Sequence, residues 1–234
     1  MRSRLFLLGC LLAASVGCKG QTNRPWLFRE TALPARHSPR ANRLNHALPY
    51  SVRKRGKRLV TRVGNAQRLE CSLTVPAGEF YGYDMGEWGG ALRFRASPGS
   101  PSVLIKKGNV RLVFTRHGRV YFLEGLAHLG QRAGALYEIT GAAPAFAWTK
   151  LADLDDAPEA FALVGDDVFI AQSEGFTVLR GLRPEVVVTR TFWDGLYPNS
   201  VAVFGDTAYV GLRGGYAQVV LPTKRIRFFR HMPL

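Results

Sequence analysis

The sequence is short of cysteine, of acid in its first third, and of any long apolar run. Three cysteines stand in 234 residues, at positions 10, 18 and 71, too few for a disulfide framework. No apolar stretch approaches the ~20 residues that cross a bilayer as a helix. No glycine-rich phosphate loop opens a helical pattern, and Ser and His form no nucleophile elbow, so the nucleotide-binding and serine-hydrolase signatures are missing. Acid is scarce only at the beginning. Residues 1–70 carry 15 Lys and Arg against Glu30 and Glu70, whereas residues 71–234 carry 17 against 15 Asp and Glu. A nearly neutral later part argues against a nucleic-acid reader, which puts its positive charge on the folded surface.

What is present begins with an export pattern. Arg2 and Arg4 precede the apolar run Leu5–Ala14, and Ser15-Val16-Gly17-Cys18 follows. A short basic region, about ten apolar residues and small residues before a cut make a secretory signal. The small residues before Cys18 resemble a bacterial lipoprotein signal, in which the thiol is acylated and becomes the first residue. Ser15 stands where that pattern has Leu. The same resemblance, with Lys19 rather than Asp after the cysteine, implies an outer-membrane destination. Residues 1–18 therefore read as a signal peptide with a lipobox and Cys18 as the lipidation site. Cys71 is then the lone cysteine of the mature chain, alternating with Leu73 and Val75 as a small buried hydrophobe does.

Residues 19–58 contain Pro25, Pro34, Pro39 and Pro49, many Arg and Asn, and no sustained period. They read as a basic tether, with Arg53-Lys54-Arg55-Gly56-Lys57-Arg58 as the most charged stretch, suited to anionic lipid or lipopolysaccharide.

From about residue 68 the chain repeats. Pro158-Glu159-Ala160-Phe161-Ala162-Leu163-Val164-Gly165-Asp166 aligns with Pro198-Asn199-Ser200-Val201-Ala202-Val203-Phe204-Gly205-Asp206. Gly90, Gly134, Gly175 and Gly215 keep a spacing of about 40 residues, the period of propeller blades. Gly-Asp turns separate short strands, predicted at 159–164, 167–173, 175–181 and 184–191, then at 199–204, 207–212, 215–221 and 225–230. The expectation is an all-β domain over 59–234: a β-propeller-like array of about four four-stranded blades, or five if Leu59–Val63 adds strands.

The stretches Gly86–Leu92, Gly125–Gly130, Leu196–Val201 and Tyr209–Gly215 resemble bacterial propeller-like exported proteins. That resemblance implies a fold over about 68–230 and no agreed activity.

Propeller geometry would gather the long connections on one face, bringing Glu87, Trp88, His128, Arg132, Trp193, Asp194, Tyr197, Asn199 and Arg213 together. Aromatics mixed with charges on rigidly held loops suit a binding surface, here for an envelope protein or a glycan. The aromatics could equally plug gaps between blades. Repeat register puts Arg111, Glu159 and Asn199 at equivalent channel-lining positions, with the first-blade match near Thr74. Regucalcin-type lactonases hold calcium in such a channel, so Glu159 and Asn199 raise the alternative of a metal-dependent hydrolase, lactonase or lyase. Two oxygen ligands are too few for calcium, and Arg111 in the same ring favours an ion pair with Glu159. The leading expectation is a lipid-anchored binding protein of the periplasm or outer membrane without a cofactor or a catalytic set.

Overall fold

Each of the four expected repeats forms its own antiparallel sheet. The computed structural model describes residues 28–66 and 70–232; the signal segment and Cys18 lie outside them. The first repeat pairs β4 (Glu70–Val75), β5 (Gly78–Asp84), β6 (Gly90–Arg95) and β7 (Val103–Lys107) in that order. The second runs β8 (Val110–Arg116), β9 (Arg119–His128), β10 (Gln131–Ala142) and β11 (Ala145–Leu154). The third runs β12 (Pro158–Val164), β13 (Asp167–Gln172), β14 (Phe176–Arg180) and β15 (Arg183–Val188). The fourth runs β16 (Ser200–Phe204), β17 (Thr207–Leu212), β18 (Gly215–Val220) and β19 (Arg225–His231).

Residues 28–58, expected as part of a tether, are instead built into the fold. β1 (Phe28–Thr31) pairs with β19 as a fifth strand of the last sheet. A short helix α1 (Pro39–Asn45) follows, with the Ser38 hydroxyl accepting from the Ala41 N–H at 3.2 Å and Pro39 in its first turn. β2 (Tyr50–Arg55) and β3 (Arg58–Val63) make a two-stranded hairpin packed on β16 and β17. The alternation Tyr50, Val52 against Ser51, Arg53 was present in the sequence, but the density of Arg and Lys masked it.

The sheets stack through three apolar clusters, one between each successive pair. Phe80, Leu92 and Phe94 of the first sheet meet Phe122 and Tyr137 of the second. Leu112, Leu123 and Leu136 meet Val168, Ile170 and Leu179 of the third. Phe169, Ala171, Phe176 and Val178 meet Val201, Val203 and Val210 of the fourth. Neighbours in sequence point opposite ways, Phe122 into one cluster and Leu123 into the next, as strand geometry requires. The middle sheets are thus buried on both faces, which explains their near-continuous apolar runs. Each large side chain so buried contributes roughly 1.5–3 kcal/mol.

Two of the recurrent glycines, Gly90 and Gly215, have a common steric cause at the start of their third strands. A Cβ on Gly90 would sit 2.2 Å from the Tyr83 carbonyl oxygen, and one on Gly215 would sit 2.0 Å from that of Phe229. Only a residue without a side chain lets the ladder close there.

Candidate binding face and central cavity

The first strands of all four sheets wall one cavity of about 460 Å³. Its polar lining comes from Glu70 and Ser72 on β4, Arg111 on β8, Glu159 on β12, and Asn199 and Ser200 at the start of β16. The first-repeat equivalent is therefore Glu70, not Thr74, which lines a separate pocket beside the Val75–Gly78 turn. The offset arose because no neighbouring Gly-Asp turn anchors the first copy.

Arg111 and Glu159 share a local cause. Each is the extra residue of a β-bulge, between Val110 and Leu112 in one sheet and between Pro158 and Ala160 in the next. A bulge turns one side chain out of the ladder. The Arg111 guanidinium lies 2.7 Å from the buried Asp84 and 3.4 Å from Glu159, whose other oxygen accepts from the Ser173 hydroxyl at 3.2 Å. Asp84 also accepts the Gly86 N–H at 2.8 Å, tying this cluster to the loop above.

That loop belongs to a face where the long connections meet. Glu87, in a single 3-10 turn (Gly86–Trp88), contacts His128 at 2.9 Å. Arg132 bridges Glu174 at 3.0 Å and Asp194 at 2.8 Å. Arg36 joins the same two carboxylates, reaching Asp194 at 2.9 Å. Four connections that are distant in sequence are thereby locked together. Beneath them Asp156 accepts the N–H groups of Ala157 and Glu174, each at 2.7 Å, and burial pushes its carboxyl above the usual carboxylate range. Arg213 donates to the Asn45 side chain at 2.8 Å and covers the Tyr197 ring at 4.2 Å.

The expected face residues divide into three groups. Glu87, Trp88 and Tyr197 are exposed, with Trp88 at 81% and Tyr197 at 52%, and His128 beside Glu87 is half-buried. Arg132, Asp194 and Arg213 are partly buried and hold the loops. Trp193 and Asn199 do not belong to the surface. Trp193 is 0% exposed, packs on Phe192, and donates its indole N–H to the Gln172 carbonyl at 3.2 Å. Its indole fills the core between the last two sheets. Asn199 is buried, donating to the Tyr50 carbonyl at 3.2 Å and accepting from Ser200 at 2.9 Å.

Arg36, Asp84, Glu174 and Leu129 were missed. Leu129 is 90% exposed at a positive φ of 47° beside Gly130; an apolar residue next to a turn glycine was the available signal. A pocket of about 180 Å³ lined by Ala127, Arg132, Glu159, Asp194 and Tyr197 links this face to the cavity through Glu159.

Among the described residues no group of three or more His, Cys, Asp or Glu is gathered for a metal. Arg111 supplies between Asp84 and Glu159 the positive charge a cation would bring. Burial pushes the Cys71 thiol up to about 11, so it stays protonated and weakly nucleophilic at neutral pH. No protein-family model matches the chain. No curated protein matches it either. Among solved structures, the computationally designed Ika8 protein is similar over 66% of this chain at 9% identity and a TM-score of 0.41, and this chain covers 46% of that protein's length.

Proposed function

We propose that the chain is an exported, lipid-anchored binding protein whose sheets form a β-propeller-like array and whose loop face recognises an envelope protein or glycan. The observation that carries this reading is the exposure of Trp88, Leu129 and Tyr197 on connections held rigid by ion pairs. Rigid loops lose little entropy on binding, and aromatic side chains are the usual anchors of an interface. The four first strands around one cavity support the propeller-like arrangement, with the β2–β3 hairpin as a partial fifth unit. The hydrolase alternative has less support, because Arg111 engages Glu159 and Asn199 is turned to Tyr50 and Ser200.

Photo-crosslinking in the envelope of the producing cell tests the reading. A photoreactive residue at 88, 129 or 197 is expected to give a discrete adduct with an envelope protein or glycan. The same residue at 166 or 206, in the short turns, is expected to give none. Adducts that are absent, or equal at both sets of positions, would sink it.

A further inference from the structure

The hairpin carries an arginine face. Partners across an antiparallel ladder share a face, so the register Ser51↔Arg62, Arg53↔Val60 and Arg55↔Arg58 puts Arg53, Arg55, Arg58 and Arg62 on one side. The other side holds Tyr50 and Val52, both buried, and Lys54, whose ammonium lies 5.0 Å from the Phe204 ring. The arginines are exposed. Among the described residues, the ion pairs fall on other arginines, such as Arg36, Arg111, Arg132 and Arg227, and on none of these four.

Arg55 stands directly opposite Arg58, and like charges so placed destabilise a ladder. An anion bridging both would reverse that. A guanidinium fork matches phosphate and carboxylate bidentately, which an ammonium does not. Charges needed only to protect a sheet edge have no reason to be arginines gathered on one face.

Chain geometry selects among anions. Phe28 packs edge-on against Tyr50 at the base of the hairpin, with ring centroids 5.3 Å apart. About ten residues separate it from Cys18, a reach of at most ~35 Å. We propose that Arg53, Arg55, Arg58 and Arg62 form a phosphate-binding face that seats the domain on anionic lipid headgroups. This goes beyond the loop-face reading and rests only on its lipid-anchored part.

Co-sedimentation of the full chain with phosphatidylcholine vesicles, with and without phosphatidylglycerol, tests it. Three proteins are compared: wild type, the Arg53→Gln, Arg55→Gln, Arg58→Gln, Arg62→Gln variant, and a charge-matched Arg43→Gln, Lys107→Gln, Arg183→Gln, Lys224→Gln variant. Wild type is expected to favour phosphatidylglycerol vesicles and to lose that preference as salt rises. The hairpin variant is expected to bind them roughly 100- to 1000-fold more weakly, and the scattered variant to stay close to wild type. Thermal melts check folding. Arg58→Glu, which sets opposite charges across the ladder, is the second variant, expected to be as stable as wild type and to bind at least ~10-fold more weakly. Equal binding by wild type and hairpin variant overturns the proposal, as does a wild-type preference for polyglutamate or duplex DNA over vesicles. Labelled palmitate incorporation, compared with Cys18→Ser, tests the anchor separately, so the failure of one is not mistaken for the failure of the other.

Discussion

Arg111 and Glu159 occupy the same bulged position in successive sheets, and their side chains meet at 3.4 Å on the wall of the central cavity. A single cation there neutralises carboxylates from two different repeats, because Asp84 approaches the same guanidinium at 2.7 Å.

Removing that cation takes the counter-charge from the buried Asp84 and one partner from the half-buried Glu159. Arg111→Met is expected to cost about 3–5 kcal/mol, read as a lowered urea midpoint at an unchanged slope. Adding Asp84→Asn should recover part of the loss. A cost below about 1 kcal/mol, as for a solvent-exposed pair, would mean that the pairing is not structural.

The two tryptophans should separate cleanly. Trp193→Ala empties a fully buried site and leaves the Gln172 carbonyl without its donor, a loss of about 3–5 kcal/mol. Trp88→Ala, at an exposed position, should change stability by no more than ~0.5 kcal/mol while reducing adduct formation from residue 129. Denaturant melts of both variants, with the crosslinking yield of the second, check this.

Cys71 gives a pH dependence with a definite sign. Burial raises its thiol from 9.0 to about 11, so folding favours the protonated form. The contribution is fully present below pH 9, declines as the unfolded chain ionises, and is lost as the pH rises through about 11, a total loss of ~2–3 kcal/mol. Cys71→Ala should be less sensitive than wild type over that window, with the difference taken from paired denaturation curves. At pH 8 only about one thiol in a thousand is ionised, so disulfide-reagent labelling of Cys71 should be slow until the protein unfolds.

Gly90→Ala and Gly165→Ala contrast space with conformation. The first drives a methyl group into the Tyr83 carbonyl; the second meets nothing within 4 Å and strains only a φ of +59°. Gly165→Ala should cost about 1–2 kcal/mol, and Gly90→Ala about 3 kcal/mol or more. Thermal unfolding of the two variants side by side ranks them.

The later repeats were legible because their turns are. Gly165-Asp166 and Gly205-Asp206 fix the register of the strands around them, and the predicted 207–212 is the observed β17. Residues 28–58 were not legible, because strand pairing there depends on partners far along the chain: β19 for Phe28–Thr31, and Asn199 and Ser200 for Tyr50 and Val52. Part of the positive charge assigned to a tether consequently lies on a folded surface. The site was half readable. Exposed Trp88 and buried Trp193 look alike as letters, and the bulges that aim Arg111 and Glu159 leave no mark in composition.

The pairing of β1 with β19 also orders events in time. Arg227 and Glu30, on neighbouring strands, are in contact although 197 residues apart. At roughly 5–20 residues per second of synthesis, Phe28–Thr31 is made on the order of ten to forty seconds before the strand it pairs with. Among the described strands, the first to be made is among the last to find its seat, and a chain cut short before residue 225 would leave the outermost strand of its final sheet without a neighbour.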